Sequence, residues 1–158
     1  MVKLEAGAQQ QFRVMRVKPS DKQTEEAYRL IVDELPAPDA KPRKGIQLVM
    51  RYSLPLFVNV QNNAEPKLQW RAEKAANGKA VLVAENTGNA HAQLSNITFQ
   101  TTSAKDALML ASGLAGYVLP GNTWKRELEV SPASLNPGRL NATVNGMPIQ
   151  TEVRFAAP

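Results

Sequence analysis

Residues 44–58, KGIQLVMRYSLPLFV, decide how this chain is read. Apolar side chains fall at Ile46, Leu48, Met50, Tyr52, Leu54 and Leu56, alternating at first with polar or basic ones. That two-residue period belongs to a strand. One face of the segment carries a large side chain at every second position over a length unusual for a strand. Such a face covers its own core and still has apolar surface to offer, so the pattern points to a strand lent to a partner. On pattern alone, an ordinary core-facing strand also accounts for Ile46, Leu48 and Met50.

Upstream of this ribbon, residues 36–44 (PAPDAKPRK) hold prolines at 36, 38 and 42 among Asp39, Lys41, Arg43 and Lys44. Proline cannot donate to a ladder, so an exposed, mobile loop is expected there. Residues 26–35 (EAYRLIVDEL) put Tyr28, Leu30 and Val32 on one face and Arg29, Ile31 and Asp33 on the other, and their β-branched and aromatic content favours a strand over a helix. Residues 10–17, with Phe12 and Val14 alternating against Arg13 and Met15, read as another strand, after a short extended piece at 2–4 and a turn at 5–8.

Downstream, the polar run 59–66 (NVQNNAEP) marks a domain boundary. The chain is therefore expected to divide into 1–58, a linker at 59–66, and 67–158. Strands are expected over 67–74, 79–85, 92–102, 114–118, 124–130, 140–144 and 149–155, punctuated by Asn77-Gly78, Asn86-Thr87-Gly88-Asn89, Pro120-Gly121-Asn122 and Asn145-Gly146. Seven short strands at this spacing suit an immunoglobulin-like sandwich. Residues 105–115 (KDALMLASGLA) carry a competing helical pattern and are expected as a short helix or a loop.

Composition narrows the function. The chain has 158 residues, 43% of them hydrophobic and 21% charged, and no apolar run reaches the length needed to span a bilayer, so no membrane-embedded protein is expected. The formal charge of +5 raises the question of an anionic partner. Lys and Arg are scattered along both halves, however, without the aromatic interleaving of a nucleic-acid platform, and no nucleic-acid partner is expected. The absence of cysteine excludes disulfides and thiolate metal sites. Residues 1–14 lack the apolar core and small-residue cleavage site of a signal peptide.

No catalytic, cofactor or metal residues are assigned. There is no G-x-S-x-G elbow and no Gly-rich phosphate loop, and the single His91 in a turn-rich stretch has no second histidine or cysteine to share a metal. Arg13, Arg16, Arg29 and Arg51 are candidates for a basic cleft gripping a carboxylate, weighed against solvated strand faces. Trp70 and Trp124 read as core or interdomain residues. A generic β-sandwich binding or structural module stays open on these residues.

Beside that reading stands a resemblance. YRLIVDELP (28–36), a Pro-rich charged loop and then GIQLVMRYSLPLFV (45–58) resemble the end of the N-terminal domain of periplasmic pilus-assembly chaperones, the PapD-like group. The likeness is strongest to the branch serving archaic chaperone-usher pili and spore-coat-U-like subunits. Residues 4–7 with Phe12-Arg13-Val14, and AENTGNAHAQL (84–94), match as well. The resemblance implies an all-β fold of two immunoglobulin-like sandwiches, the first incomplete because its first strands are missing, as if Met1 were an internal start or the chain a fragment. It implies a periplasmic chaperone with no cofactor, which completes a pilus subunit's sandwich by donor-strand complementation through Ile46, Leu48, Met50 and Tyr52 and delivers it to an outer-membrane usher. Tyr52, Leu54, Leu56 and Phe57 are also expected to lean into the chaperone's own core, because the apolar residues there appear on both faces. Many relatives anchor the subunit's carboxylate with a Lys where this chain has Pro55, which leaves Arg51 as a positional candidate. Bare strand edges in the shortened first unit leave self-association open.

Overall fold

In a computed structural model that describes residues 2–18, 21–36, 46, 48–58, 62–101, 106–129 and 137–154, the periodic segments are strands, and no helix occurs among the described residues. They run β1 (Glu26–Asp33), β2 (Arg51–Val58), β3 (Leu68–Lys74), β4 (Ala80–Asn86), β5 (Ala92–Thr101), β6 (Leu108–Val118), β7 (Thr123–Leu128), β8 (Gly138–Val144) and β9 (Met147–Val153). The expected loop at 37–44, Gly45 and Gln47 of the ribbon, linker residues 59–61, residues 102–105, and the expected strand ends at Val130 and Phe155 lie outside the described residues.

Strands β3 to β9 form the expected immunoglobulin-like sandwich. One sheet has the order β3-β4-β7 and the facing sheet the order β6-β5-β8-β9, all antiparallel. Alternation along each strand sends one set of side chains inward. Leu82 and Ala84 of β4 meet Leu94, Ile97 and Phe99 of β5, with Leu128, Leu140 and Val153 completing a core that excludes water. Trp70 and Trp124 pack against this core as an edge-to-face pair with centroids 6.3 Å apart. Gly138 is required by that packing, since a Cβ there would sit 2.0 Å from Cζ of Phe99. The β8–β9 hairpin turns on Asn145 and Gly146 with φ of 49° and 81°, the two positive values that a tight type I′ turn demands.

The 86–91 loop is built by one buried amide. Asn86 Nδ2 donates to the carbonyls of Ala90 at 2.7 Å and Val118 at 2.9 Å, while its Oδ1 accepts the N–H groups of Lys67 and Gly88, each at 3.0 Å. Every polar position of the side chain that can bond is engaged, which is why a polar group is tolerated with no exposure. Gly88 lets residues 65–67 lie against the loop; a Cβ would fall 2.3 Å from the Glu65 carbonyl oxygen.

Three expectations are corrected. Residues 105–115 do not form a helix where they are described. From Leu108 they join β6, which pairs with β5 through irregular register accommodated by Asn96 (φ 50°) and Gly113 (φ 76°). The open edge of β5 gives the segment a ladder that an isolated helical pattern cannot match. Residues 10–17 form no strand, and among the described residues no ladder partner runs beside them; Arg16 ties the segment to Glu26 by an ion pair of 2.9 Å. The ribbon is shorter than its alternation, with β2 beginning only at Arg51.

Candidate functional site

Among the described residues, strands β1 and β2 pair only with each other, forming a two-stranded sheet. Their register sets Tyr28 opposite Leu56, Leu30 opposite Leu54 and Val32 opposite Tyr52. Directly opposed residues of an antiparallel pair share a face, so these six make one apolar surface. The opposite face carries Arg29, Ile31 and Asp33 against Pro55, Ser53 and Arg51.

Ladder geometry explains where the strand stops. The Glu34 N–H donates to the Met50 carbonyl at 2.8 Å, and the Met50 N–H donates to a Glu34 carboxylate oxygen at 3.0 Å. Two residues later Pro36 has no N–H to offer. Leu48 and Ile46 therefore run on past the last rung, 82% and 93% exposed. In the sequence, Ile46 and Leu48 continue the alternation of Tyr52, Leu54 and Leu56.

Tyr52 and Leu54 do not lean into a core as expected. Both are about half exposed, at 50% and 47%, because among the described residues no second sheet lies over them. Leu56 and Phe57, nearer the sandwich, are partly buried. Met50 is likewise half exposed.

The arginines do not converge on an open cleft. Arg51 clasps the Asp33 carboxylate with two parallel bonds, Nε to Oδ1 and Nη2 to Oδ2, the latter at 2.9 Å. Those bonds hold the Asp33 carboxyl below its ordinary pKa and raise that of Arg51. A carboxylate from elsewhere would have to displace Asp33. Arg29 donates to the Ser53 hydroxyl at 3.3 Å, and Arg16 to Glu26. Tyr28 donates its hydroxyl to the same Glu26 carboxylate at 2.7 Å, which raises the phenol's pKa.

Where the ribbon meets the sandwich, the chain places a cluster that sequence reading missed. Glu25, one residue before β1, is buried, and its Oε2 accepts the His91 backbone N–H at 2.6 Å while lying 2.7 Å from the ring Nδ1. Phe57 stacks on the His91 ring with centroids 3.6 Å apart and planes 13° apart; Tyr117 tilts against both rings. The partners lie 66 residues apart, so no local pattern signals the contact.

Comparison with known proteins agrees with this architecture. Residues 1–62 match the family described as pili and flagellar-assembly chaperone, PapD N-terminal domain. The chain is also similar to a chain in the crystal structure of the CsuC–CsuE chaperone-tip adhesion subunit pre-assembly complex from archaic chaperone-usher Csu pili of Acinetobacter baumannii, at 27% sequence identity and a TM-score of 0.53. That match covers 85% of this chain and 62% of the other, so this chain spans less than two thirds of the length of its structural relative. No curated protein sequence matches it.

Proposed function

We propose, from the premise that this chain belongs with the PapD-like pilus chaperones, that it captures a pilus subunit in the periplasm by lending it the ribbon 45–58 and passes it to an outer-membrane usher. The observation that carries the reading is the exposure of Ile46, Leu48, Met50, Tyr52 and Leu54, large apolar residues at alternate positions in and just before β2. Exposed large side chains at alternate positions suit strand addition: main-chain bonds to an open sheet edge would supply affinity, and the alternate side chains would select register.

Magnitudes support tight capture. Burying each such side chain is worth roughly 1.5–3 kcal/mol, so Ile46, Leu48 and Met50 together contribute on the order of 5–9 kcal/mol before ordering costs. Association itself costs about 4–15 kcal/mol, so side chains alone give weak binding and the backbone ladder must add to them. Arg51 is the only residue we retain as a cleft contact, and only if an incoming carboxylate displaces Asp33. The structural relative, solved as a chaperone with an adhesion subunit, adds support for a subunit as the partner.

Co-expression with a pilin-like subunit lacking its final strand tests this. A one-to-one complex on gel filtration is expected, and Leu48→Asp with Met50→Asp should abolish it while the tryptophan fluorescence of the sandwich stays native. A complex that survives both charges would refute the reading.

A further inference from the structure

The ribbon is secured to the sandwich at its inner end, where β1 begins and β2 finishes. Glu25 leads into β1 and Phe57 lies in β2, yet both engage one residue of the sandwich. Glu25 grips His91 at the backbone N–H and at Nδ1, and Phe57 covers the face of the same ring. The Glu25 carboxyl is only 2% exposed, and a carboxylate oxygen removed from water needs the donors that His91 supplies. The Glu25 N–H adds a bond to the Asn89 carbonyl at 2.8 Å.

His91 is fixed from the sandwich side too. Asn145, at the β8–β9 turn, donates Nδ2 to the His91 carbonyl at 3.2 Å and accepts the Gln93 N–H at 2.7 Å. Asn86 holds the other flank through the Ala90 carbonyl. Alongside this joint the two parts stand off from one another. A crevice of about 290 Å³ opens between residues 22–28 and the turn at Leu119, Pro120 and Asn122. The contact is therefore narrow, and a narrow contact between two parts of a chain leaves relative motion as the default unless a specific pin opposes it.

We infer that His91 is that pin: a positioning residue which, by bonding Glu25 and stacking on Phe57, holds both ribbon strands at one orientation to the sandwich. Removing the ring takes away the Nδ1 contact with Glu25 and the stack on Phe57 together, leaving main-chain bonds at the joint, although no residue of the ribbon's apolar row is altered.

The chain has no cysteine, so nitroxide labels can be placed at Ile31→Cys on the ribbon and Met147→Cys on the hairpin tip without background. Pulsed electron-electron resonance on the full chain should give a single narrow distance distribution. His91→Ala should at least double its width. Phe57→Ala, which removes the ring that stacks on His91 and tilts against Tyr117, should broaden it similarly, and Phe57→Trp should restore it. His91→Gln, which keeps a donor for Glu25 but no ring, should fall between. Unchanged width in Phe57→Ala, or a broad distribution already in the parent chain, overturns the inference, and Phe57→Ala decides the matter should His91→Ala unfold. No subunit is needed, so failure here removes the joint and leaves the chaperone reading standing.

Discussion

Asn86→Ala should be among the most damaging single changes in the sandwich. The side chain makes four hydrogen bonds at 2.7–3.0 Å, and none of its surface is exposed. Truncation leaves the Lys67 and Gly88 N–H groups and the Ala90 and Val118 carbonyls without that partner. At about 1 kcal/mol per bond, and more for each group left dry, the loss is about 4 kcal/mol. A domain of this size has only about 5–15 kcal/mol in hand, so the variant should remain folded at low temperature but unfold at much lower urea. Asn86→Asp separates hydrogen bonding from cavity effects: it keeps the volume, but turns an acceptor oxygen toward the two carbonyls that Nδ2 now serves. Its penalty should shrink as the pH falls, because a protonated acid again donates to one of them. Urea titration followed by tryptophan fluorescence is the assay. The chain has two tryptophans, Trp70 and Trp124, and both lie in the sandwich, so the signal is free of the ribbon. A loss under about 1 kcal/mol in Asn86→Ala, well below the sum of its bonds, would refute the view that this amide organises the 86–91 loop.

Gly138→Ala forces a methyl into the Phe99 ring and should cost about 1–3 kcal/mol as an overpacked core, read as a lowered melting temperature; an unchanged melt would show that Phe99 can step aside. The Asp33 carboxyl titrates below its unfolded value because Arg51 hydrogen-bonds it, so whatever the clasp contributes is present above the ordinary carboxylate range and is lost as the pH falls through the lowered folded value. Carbon-13 NMR of the Asp33 carboxyl should show that lowered midpoint, and Arg51→Gln should return it to the ordinary range; a normal midpoint in the parent chain would mean the clasp is open in solution.

Much of the fold is legible in the chain because alternation is a local property. Leu82 and Ala84, or Leu140 and Ala142, declare which face is apolar without reference to any neighbour, and Asn145-Gly146 declares its turn. Segments whose structure depends on a partner are less legible. The alternation of Phe12 and Val14 is as regular as that of β4, but among the described residues no strand lies beside it. Residues 105–115 read as a short helix or a loop, and only the edge of β5 makes them strand from Leu108.

The same division holds at the site. Sequence alone determined the apolar row from Ile46 to Leu56, because every second residue of an extended chain returns to one side whatever surrounds it. Tertiary structure decided how much of that row stands bare, since exposure depends on whether another sheet covers it and on where Pro36 ends the ladder. It alone brought Glu25, Phe57 and His91 together, because a hydrogen bond and a ring stack act over a few ångströms of space and are indifferent to the length of chain between the groups they join.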